Sequence, residues 1–367
     1  MKTKFNKAAL QEALTLVTGV VPSRTPKPIL QCVHIKAAKD SAGISATDLE
    51  VGINYQVSQV EVERQGDAVV PADKLTSIVR ESVDEVIEIE VTEAAMQIRG
   101  ADSHFTIYGH DTRQYPAVPL FEGKPDLEMS LGALQQGVAL SVFAVAREST
   151  RYALNGILWE VHGKKLTLVA TDGRRLAKNI VTLASSADTK LAEQRIIVPA
   201  KAMALLERIG GEDTEKVAVR FVDNQIVLAV GPVVVSSKLV EGNFPKYEDI
   251  IPTDYDKKVA LRTDAALSAV RRAALLASEE SKGIKLALSK GALIFSSRAP
   301  ETGDAQVDMA VEYSGPDIAI GFNPQFLIDV LRVISAEEFE LQLGDADRPG
   351  VIKAGGDFLY IIMPVNL

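Results

Sequence analysis

Apolar and polar positions along this chain follow two rhythms, an i, i+3, i+4 spacing that marks helices and a period of two that marks strands. Residues 5–18 place Leu10, Ala13, Leu14 and Val17 on one side of a predicted helix. The loop VVPSRTPKPIL (20–30) follows; its prolines predict a stiff, extended segment displaying Arg24 and Lys27. Strand-like runs CVHIKAA, GISATDL and VGINYQVSQVEVE lead to a second helix at 70–80. VIEIEV, AMQIRGA and HFTIYGH then alternate as half-buried antiparallel strands do. The order recurs with a helix at 131–146, strands near 154–162 and 165–171, a polar connection SSADTKLAEQ, and a helix at 198–208 stopped by Gly210 and Gly211. It recurs again with a helix at 263–277, strands at 283–297, a polar loop SRAPETGDAQ, a helix at 322–334 and strands ending in YIIMPVNL. Each unit reads as helix, strands, helix, strands, which is α+β with largely antiparallel sheets.

The recurrence is also written in residues. VPADKLTSIVR (70–80), VPAKAMALLER (198–208) and FNPQFLIDVLR (322–332) align without gaps. Their sixth positions are Leu75, Met203 and Leu327, their ninth Ile78, Leu206 and Val330, and their last Arg80, Arg208 and Arg332. Pro71 and Pro199 suit the first helical position, and Asn323 before Pro324 suits an N-cap. AALQEALTLV, GALQQGVALS and AALSAVRRAA share Leu10, Leu134 and Leu267. ISATDLEVGI (44–53) matches LVATDGRRLA (168–177) through Ala-Thr-Asp, and the third unit has no Thr-Asp there. Ordered matches at one period predict three similar domains, with boundaries at 1–125, 126–252 and 253–367.

Composition adds limits. A chain of 367 residues, 47% hydrophobic and 24% charged, has room for several cores. Cys32 is the single cysteine, so no internal disulfide forms, which fits a reducing cytosol. The start MKTKFNKAAL lacks the apolar core of a signal peptide, and the most apolar run, Ile226 to Val235, contains Gly231 and Pro232 and is too short to span a bilayer. A cytoplasmic location is expected. The net charge of −9 argues against nucleic-acid binding only if charge is evenly mixed; a basic face on an acidic body remains open.

Signatures of catalysis are missing. No phosphate loop and no His-Glu-x-x-His occurs, and His34, His104, His110 and His162 lie apart with no cluster to hold zinc. Asp345-Ala346-Asp347 sits among Gly344, Pro349 and Gly350 and reads as a turn. Asp172-Gly173 reads as a catalytic aspartate or, better, as a tight strand-to-strand turn. No metal and no cofactor is expected.

Pro28-Ile29-Leu30, ATDLE (46–50), RYALNGILWE (151–160), TDGRRLA (171–177), SSKLVEGNFPKYEDIIP (236–252), IGFNPQFLIDVL (320–331) and YIIMP (360–364) together resemble the bacterial DNA polymerase III sliding clamp family over the full length. The resemblance implies the DNA-clamp fold: three similar domains, each with two helices and antiparallel sheets, in a head-to-tail homodimeric ring whose helices line the hole. Twelve helices abreast at roughly 9 Å spacing give a diameter of about 35 Å, enough for duplex DNA and water. It implies a non-catalytic processivity factor, loaded by an ATP-dependent clamp loader, that tethers polymerases and repair proteins carrying short Gln-Leu-Ser/Asp-Leu-Phe-like tails.

A sliding tether meets phosphates weakly and without reading bases. The candidates are Arg24, Arg80, Arg151, Tyr152, Lys201, Arg208, Arg271, Arg272 and Arg332, each of the helix cations being equally readable as a solvated face. The family's protein-binding cleft falls on Leu154, Thr171, Gly173, Arg174, Arg175, Leu176, Pro245, Ile250, Asn323, Phe326, Ile361, Met363, Pro364 and Val365. Leu176, Ile250, Ile361, Met363 and Val365 would form an apolar pocket for a Leu-Phe anchor, with Arg174 and Arg175 holding polar tail atoms. Without the family these apolar residues read as core. The resemblance implies a dimer seam in which Phe105 and Ile107 on an edge strand meet Leu275 and Leu276, and Lys74 pairs with Glu301 or Asp304. Departures from the family pattern are Asp73, Glu148, Ala153, Asp249 and Asn366, which alter charge at the DNA face and the cleft rim. Two rival readings remain: a nucleotide-directed enzyme of three repeated domains, and a monomeric peptide-binding adaptor of the same fold.

Overall fold

Every described α-helix grows almost directly out of a strand, so each repeat opens with a strand and not, as the sequence pattern suggested, with a helix. In the computed structural model, which describes residues 1–366 apart from 94, 148–150, 187–194 and 279–282, β1 (Lys2–Asn6) passes into α1 (Lys7–Val17) and β6 (Gly66–Pro71) into α2 (Ala72–Glu81). In the same way β10 (Leu127–Ser130) feeds α3 (Leu131–Val142), β15 (Ile196–Pro199) feeds α4 (Ala200–Leu206) and β19 (Lys257–Arg262) feeds α5 (Thr263–Ala274). Between β23 (Ile318–Phe322) and α6 (Pro324–Val333) stands one residue, Asn323, whose side chain accepts from the Gln325 N–H at 2.9 Å. Asn6 caps α1 similarly, accepting from the Ala9 N–H at 3.1 Å. The expected roles of Pro71 and Pro199 are corrected: each ends a strand one residue before its helix.

The chain packs as two units. The first comprises Met1–Gln135, Leu183–Thr189 and Lys201–Leu239, and the second Gln136–Thr182, Lys190–Ala200 and Val240–Leu367. The middle sequence repeat contributes to both, because sheets run on from one repeat into the next.

In the first unit, a five-stranded antiparallel sheet has the order β5 (Val60–Arg64), β1, β7 (Val86–Thr92), β8 (Ala95–Arg99), β9 (His104–Tyr108). A nine-stranded sheet has the order β14 (Ser185–Ser186), β10, β16 (Lys216–Val222), β17 (Gln225–Val230), β18 (Val233–Lys238), β4 (Val51–Val57), β3 (Ala42–Thr47), β2 (Cys32–Ala37), β6. The β18–β4 pairing, Val233 opposite Tyr55 through Ser237 opposite Val51, joins the repeats. Leu10, Ala13, Leu14, Leu16 and Val17 of α1 and Ala72, Leu75 and Val79 of α2 are buried. Ile78 is only half-buried, so Leu75 and Val79, one turn apart, carry the face of α2.

In the second unit, an eight-stranded sheet has the order β15, β11 (Gly156–His162), β12 (Lys165–Thr171), β13 (Arg175–Thr182), β26 (Phe358–Ile362), β25 (Gly350–Ala354), β24 (Glu338–Leu343), β19. A four-stranded sheet has the order β22 (Gly303–Ala310), β21 (Ala292–Ala299), β20 (Ile284–Ser289), β23. Here β13 pairs with β26, Arg175 opposite Ile362 and Leu176 opposite Ile361. Both faces of β12 are covered, which accounts for its run of apolar residues without alternation. Small residues Ala266, Ala269 and Ala273 with Val270 form the buried face of α5; Leu267 is only half-buried, so its alignment with the fully buried Leu10 and Leu134 does not carry over to packing.

Short 3₁₀ turns replace two expected extended or strand segments. Pro28–Gln31 coil back at the end of the proline loop, and Tyr152–Asn155 precede β11, which starts at Gly156 and not at 154. Gly156 is required by space. A Cβ there would lie 2.6 Å from the Val198 carbonyl oxygen and 2.8 Å from Ile197 Cγ2. Gly156→Ala is therefore expected to destabilise the second unit by about 2 kcal/mol through overpacking, read as a lower urea midpoint; an unchanged midpoint would mean that β11 and β15 separate without cost.

Candidate functional site

The Ala-Thr-Asp repeat builds the same turn twice. In the first copy the Thr47 hydroxyl donates to Val51 O at 2.9 Å and accepts from the Leu49 N–H at 3.0 Å, while Asp48 Oδ1 accepts from the N–H groups of Glu50 at 2.9 Å and Val51 at 2.7 Å. In the second, the Thr171 hydroxyl donates to Arg175 O at 2.6 Å and accepts from the Gly173 N–H at 3.1 Å, and Asp172 Oδ1 accepts from the N–H groups of Arg174 at 2.9 Å and Arg175 at 3.0 Å. The third residue of each turn has positive φ, 79° at Leu49 and 88° at Gly173. Asp172 is thus committed to a turn.

Arg175, at the end of the second turn, anchors the surrounding segments. It is 9% exposed. Its guanidinium donates from Nε to Asp172 at 3.0 Å, from Nη1 to Asp329 on α6 at 2.7 Å and from Nη2 to Phe143 O at 2.6 Å, and it lies over the Phe326 ring at 4.4 Å. Burial alone would lower its pKa, but the bond to Asp329 and the neighbouring acidic groups outweigh it and the net shift is upward. Three of the five guanidinium N–H groups are thus engaged inside the unit. Asp172, Asp329 and the Phe143 carbonyl were missed as partners, because nothing in the sequence marks Arg175 rather than Arg174 as the buried one.

Around this anchor the structure assembles three of the expected segments. The Met363 N–H donates to Arg174 O and the Val365 N–H to Gly321 O, both at 2.9 Å, so the tail 363–365 is tied between the turn and the end of β23. The Tyr360 hydroxyl donates to Phe326 O at 3.1 Å, holding the start of α6. Phe244 and Tyr247 pack in one cluster with Ala153, Leu176 and Ile361, which brings the stretch containing Pro245 and Ile250 alongside. The expected pocket residues then divide. Leu154, Thr171, Leu176 and Ile361 are buried and serve as core or turn. Asn323, Phe326, Pro364 and Val365 are half-buried, while Gly173, Arg174, Pro245, Ile250 and Met363 are exposed. Two large apolar side chains left at this surface are Ile250, 50% exposed, and Met363, 42% exposed. Leu176 and Ile361 lie beneath that surface, in the cluster with Phe244 and Tyr247.

The first-unit junction has the same backbone and different chemistry. The Lys238 N–H donates to Glu50 O at 2.9 Å, matching Met363 and Arg174. Where the second unit pairs Leu176 with Ile361, the first pairs Gly52 with Ser236. A Cβ on Gly52 would meet the Ser236 hydroxyl at 2.8 Å and Val118 Cγ1 at 2.9 Å, so the space is filled by Val118.

Among the candidate cations, Arg24, Arg80, Arg151, Lys201, Arg208, Arg271, Arg272 and Arg332 are exposed, as is Tyr152. Arg80, Arg271, Arg272 and Arg332 sit in last turns of helices, where a cation also offsets the helix dipole. Arg208 lies two residues beyond α4. Lys201 is ion-paired with Asp48, and this bond with the two backbone donors holds the Asp48 carboxyl below its ordinary value although burial pushes it up. Asp73 is paired with Lys74 at 3.4 Å, so Lys74 has an acidic partner within its own chain. Asp249 and Asn366 are exposed, Ala153 is buried, and Glu148 lies outside the described residues. On β9, Phe105 is 40% exposed and Ile107 only 7%, so most of the Ile107 side chain is already covered within its own unit. Leu275 is 80% exposed and Leu276 half-buried, and Glu301 and Asp304 are exposed. Among the described residues no cluster of His, Cys, Asp and Glu could hold a metal, and no helix is long and apolar enough to cross a membrane.

A chain of sheet-joined repeats, each pairing two helices with antiparallel strands, defines a three-domain clamp fold. Models of the N-terminal, central and C-terminal domains of the DNA polymerase III beta subunit match residues 1–119, 129–246 and 248–366. A beta sliding clamp of Pseudomonas aeruginosa is 33% identical with all of both chains covered, and one of Escherichia coli K12 is 29% identical over the same extent. Crystal structures of a P. aeruginosa DNA polymerase III beta subunit and a Bacillus subtilis sliding clamp match with TM-scores of 0.91 and 0.94 at 32% and 28% identity, covering 100% of this chain and 100% and 99% of theirs. The chain belongs to the DNA polymerase III beta subunit family, the bacterial beta sliding clamps.

Removing the Arg175 side chain leaves Asp329 and Phe143 O without their buried donor. Arg175→Ala is expected to lower the stability of the second unit by about 3 kcal/mol, seen as faster amide exchange in β13 and α6; unchanged exchange there would mean that the buried pairs contribute nothing net.

Proposed function

We propose that this chain is a sliding clamp: two copies close into a ring around duplex DNA and tether polymerases and repair proteins, giving processivity without catalysis. The observation that carries the reading is family likeness covering 100% of this chain and 100% of the P. aeruginosa relative. The full-length likeness also disfavours the monomeric adaptor. On this reading residues 1–125, 126–252 and 253–367 are three clamp domains, the chain works in the cytoplasm, and an ATP-dependent loader opens and closes the ring. No metal or cofactor is used.

Arg24, Arg80, Arg151, Tyr152, Arg208, Arg271, Arg272 and Arg332 meet phosphates, their exposure supporting the assignment. Lys201 contributes less, because Asp48 already neutralises it. Weak, sequence-independent contacts suit a protein that must move along its track. Retention then comes from topology and not affinity. The seam is favoured by edge chemistry: β5 carries Glu61, Glu63 and Arg64 with ion pairs from Lys2 and Lys4 to Glu63, whereas β9 presents Phe105 and Tyr108 with no acidic or lysine residue. Charged edges resist further pairing and uncharged apolar ones invite it. Leu275 and Leu276 of the second copy cover Phe105, and Lys74 turns from Asp73 to Glu301 or Asp304.

Partner tails of the Gln-Leu-Ser/Asp-Leu-Phe kind dock over Ile250 and Met363, between Pro245, Gly173, Arg174 and the tail Pro364–Val365, with Phe326 and Asn323 at the α6 side. Leu154, Thr171, Arg175, Leu176 and Ile361 hold the floor.

Loaded by its cognate loader and ATP onto nicked circular plasmid, the protein is expected to stay bound through gel filtration and to be lost when the plasmid is linearised. Equal retention on circle and line would mean ordinary affinity and end the ring reading. Met363→Asp is expected to weaken capture of a fluorescent Gln-Leu-Ser-Leu-Phe peptide at least tenfold, about the loss for an anchor contact; unchanged affinity would move the peptide site elsewhere.

A further inference from the structure

The four-stranded sheet of the second unit carries a hollow of about 610 Å³ on its outer face, lined by Lys285, Ser296, Arg298, Pro300, Asp304 and Gln306. These residues share one face because Lys285, Ser296 and Gln306 stand in register across β20, β21 and β22, and Arg298 stands opposite Asp304. Val307 and Phe295, in the alternate positions, are buried on the other face. The strand bordering the hollow, β22, is an edge of its sheet.

In the first unit the edge strand β9 alternates likewise. Phe105 and Ile107 share the face of buried Ile98 and Met96, while His104, Thr106 and Tyr108 share the other. Tyr108 is 78% exposed, and its cross-strand neighbour is Ala95, too small to cover a phenol ring. A ring so exposed at an unprotected edge has no packing role in its own unit.

We propose that, in the assembled dimer, Tyr108 of one copy seats in this hollow of the other, its ring against the Arg298 guanidinium. The inference rests on the seam proposed above and adds its register and its outer-face contact. If β9 extends the four-stranded sheet, inner face must continue inner face, so Phe105 joins Val307 and its neighbours, and Tyr108 joins Asp304, Gln306 and Arg298. Direction follows from α2. The Val69–His110 bridge and the hollow shared by Pro71, Asp73 and His110 set the start of α2 beside the C-terminal end of β9. Lys74 can reach Glu301 or Asp304 only if that end meets the N-terminal end of β22, which makes the pairing antiparallel. Thr106 then stands by Gln306, Tyr108 by Asp304 and His104 by Asp308, which sets a basic-type residue against an acid. An arginine over a tyrosine face is a favourable contact of electrostatic origin, strengthened as the partner strand excludes water.

The test is the dimer dissociation constant, measured by fluorescence-detected sedimentation of the full chain. Tyr108→Ser is expected to raise it about tenfold, Tyr108→Phe to leave it within about twofold, and Arg298→Ala added to Tyr108→Ser to cause no further rise. Tyr108 is exposed, so its variants fold; Leu275→Asp serves as the control that breaks the seam. If Leu275→Asp dissociates the dimer while Tyr108→Ser has no effect, the seat is wrong and the seam stands. If the losses from Tyr108→Ser and Arg298→Ala simply add, the ring does not lie on Arg298. If the unaltered chain sediments as a monomer, or Leu275→Asp changes nothing, the seam reading itself fails and takes this inference with it.

Discussion

Main-chain pairing between repeats is the constraint on which the rest of this structure depends. Separate domains of about 120 residues could each bury a core, yet here β4 bonds to β18 and β13 to β26, so that neighbouring repeats share a sheet. A ladder of backbone hydrogen bonds has one register wherever a face is buried. Within each unit the register of the strands from neighbouring repeats is therefore set residue by residue. The cleft in the second unit depends on this directly. Its turn, helix start and tail come from different repeats and meet because Leu176 lies opposite Ile361.

The helices inherit the same rigidity. With no loop between strand and helix, except the single cap before α6, the direction of each helix is fixed by the strand that feeds it. Cations in the last turns are thus carried on short rods rooted in sheets. On the clamp reading, a surface that touches phosphates without gripping them needs such fixed placement more than it needs high charge, which is compatible with a net charge of −9 over the whole chain.

Periodicity and repetition made the helices, most strands and the α+β class legible in the sequence, since those depend on local spacing. The strands preceding the helices were hidden because FN, VP and LR continue into helical residues without a breaker. Pro71 looks like a helix start whether it is the first helical residue or the last strand residue. Leu267 matched Leu10 and Leu134 in the alignment, but α5 packs through alanines, and an aligned leucine does not reveal which side of a helix its neighbours leave open. At the candidate site the family resemblance marked the right segments and blurred their roles. Arg174 and Arg175 are adjacent and alike in sequence; only the fold turns one outward and buries the other between Asp172 and Asp329. Ile361 and Met363 likewise differ by two places, yet one is buried and the other exposed.

The duplicated Thr-Asp turn shows how one backbone motif can carry two different linings. Both copies have the hydrogen bonds that close the turn, down to the left-handed third residue, although the first copy carries Leu49 where the second has glycine. What differs is the lining: Gly52, Ser236 and Lys238 stand where the second copy has Leu176, Ile361 and Met363, and Val118 occupies the space. Of the two junctions only the second is lined by large apolar side chains. On the clamp reading each chain offers a single berth and a ring offers two, so partners arriving on the same DNA have to queue for a resource whose number follows from the lining of the two junctions.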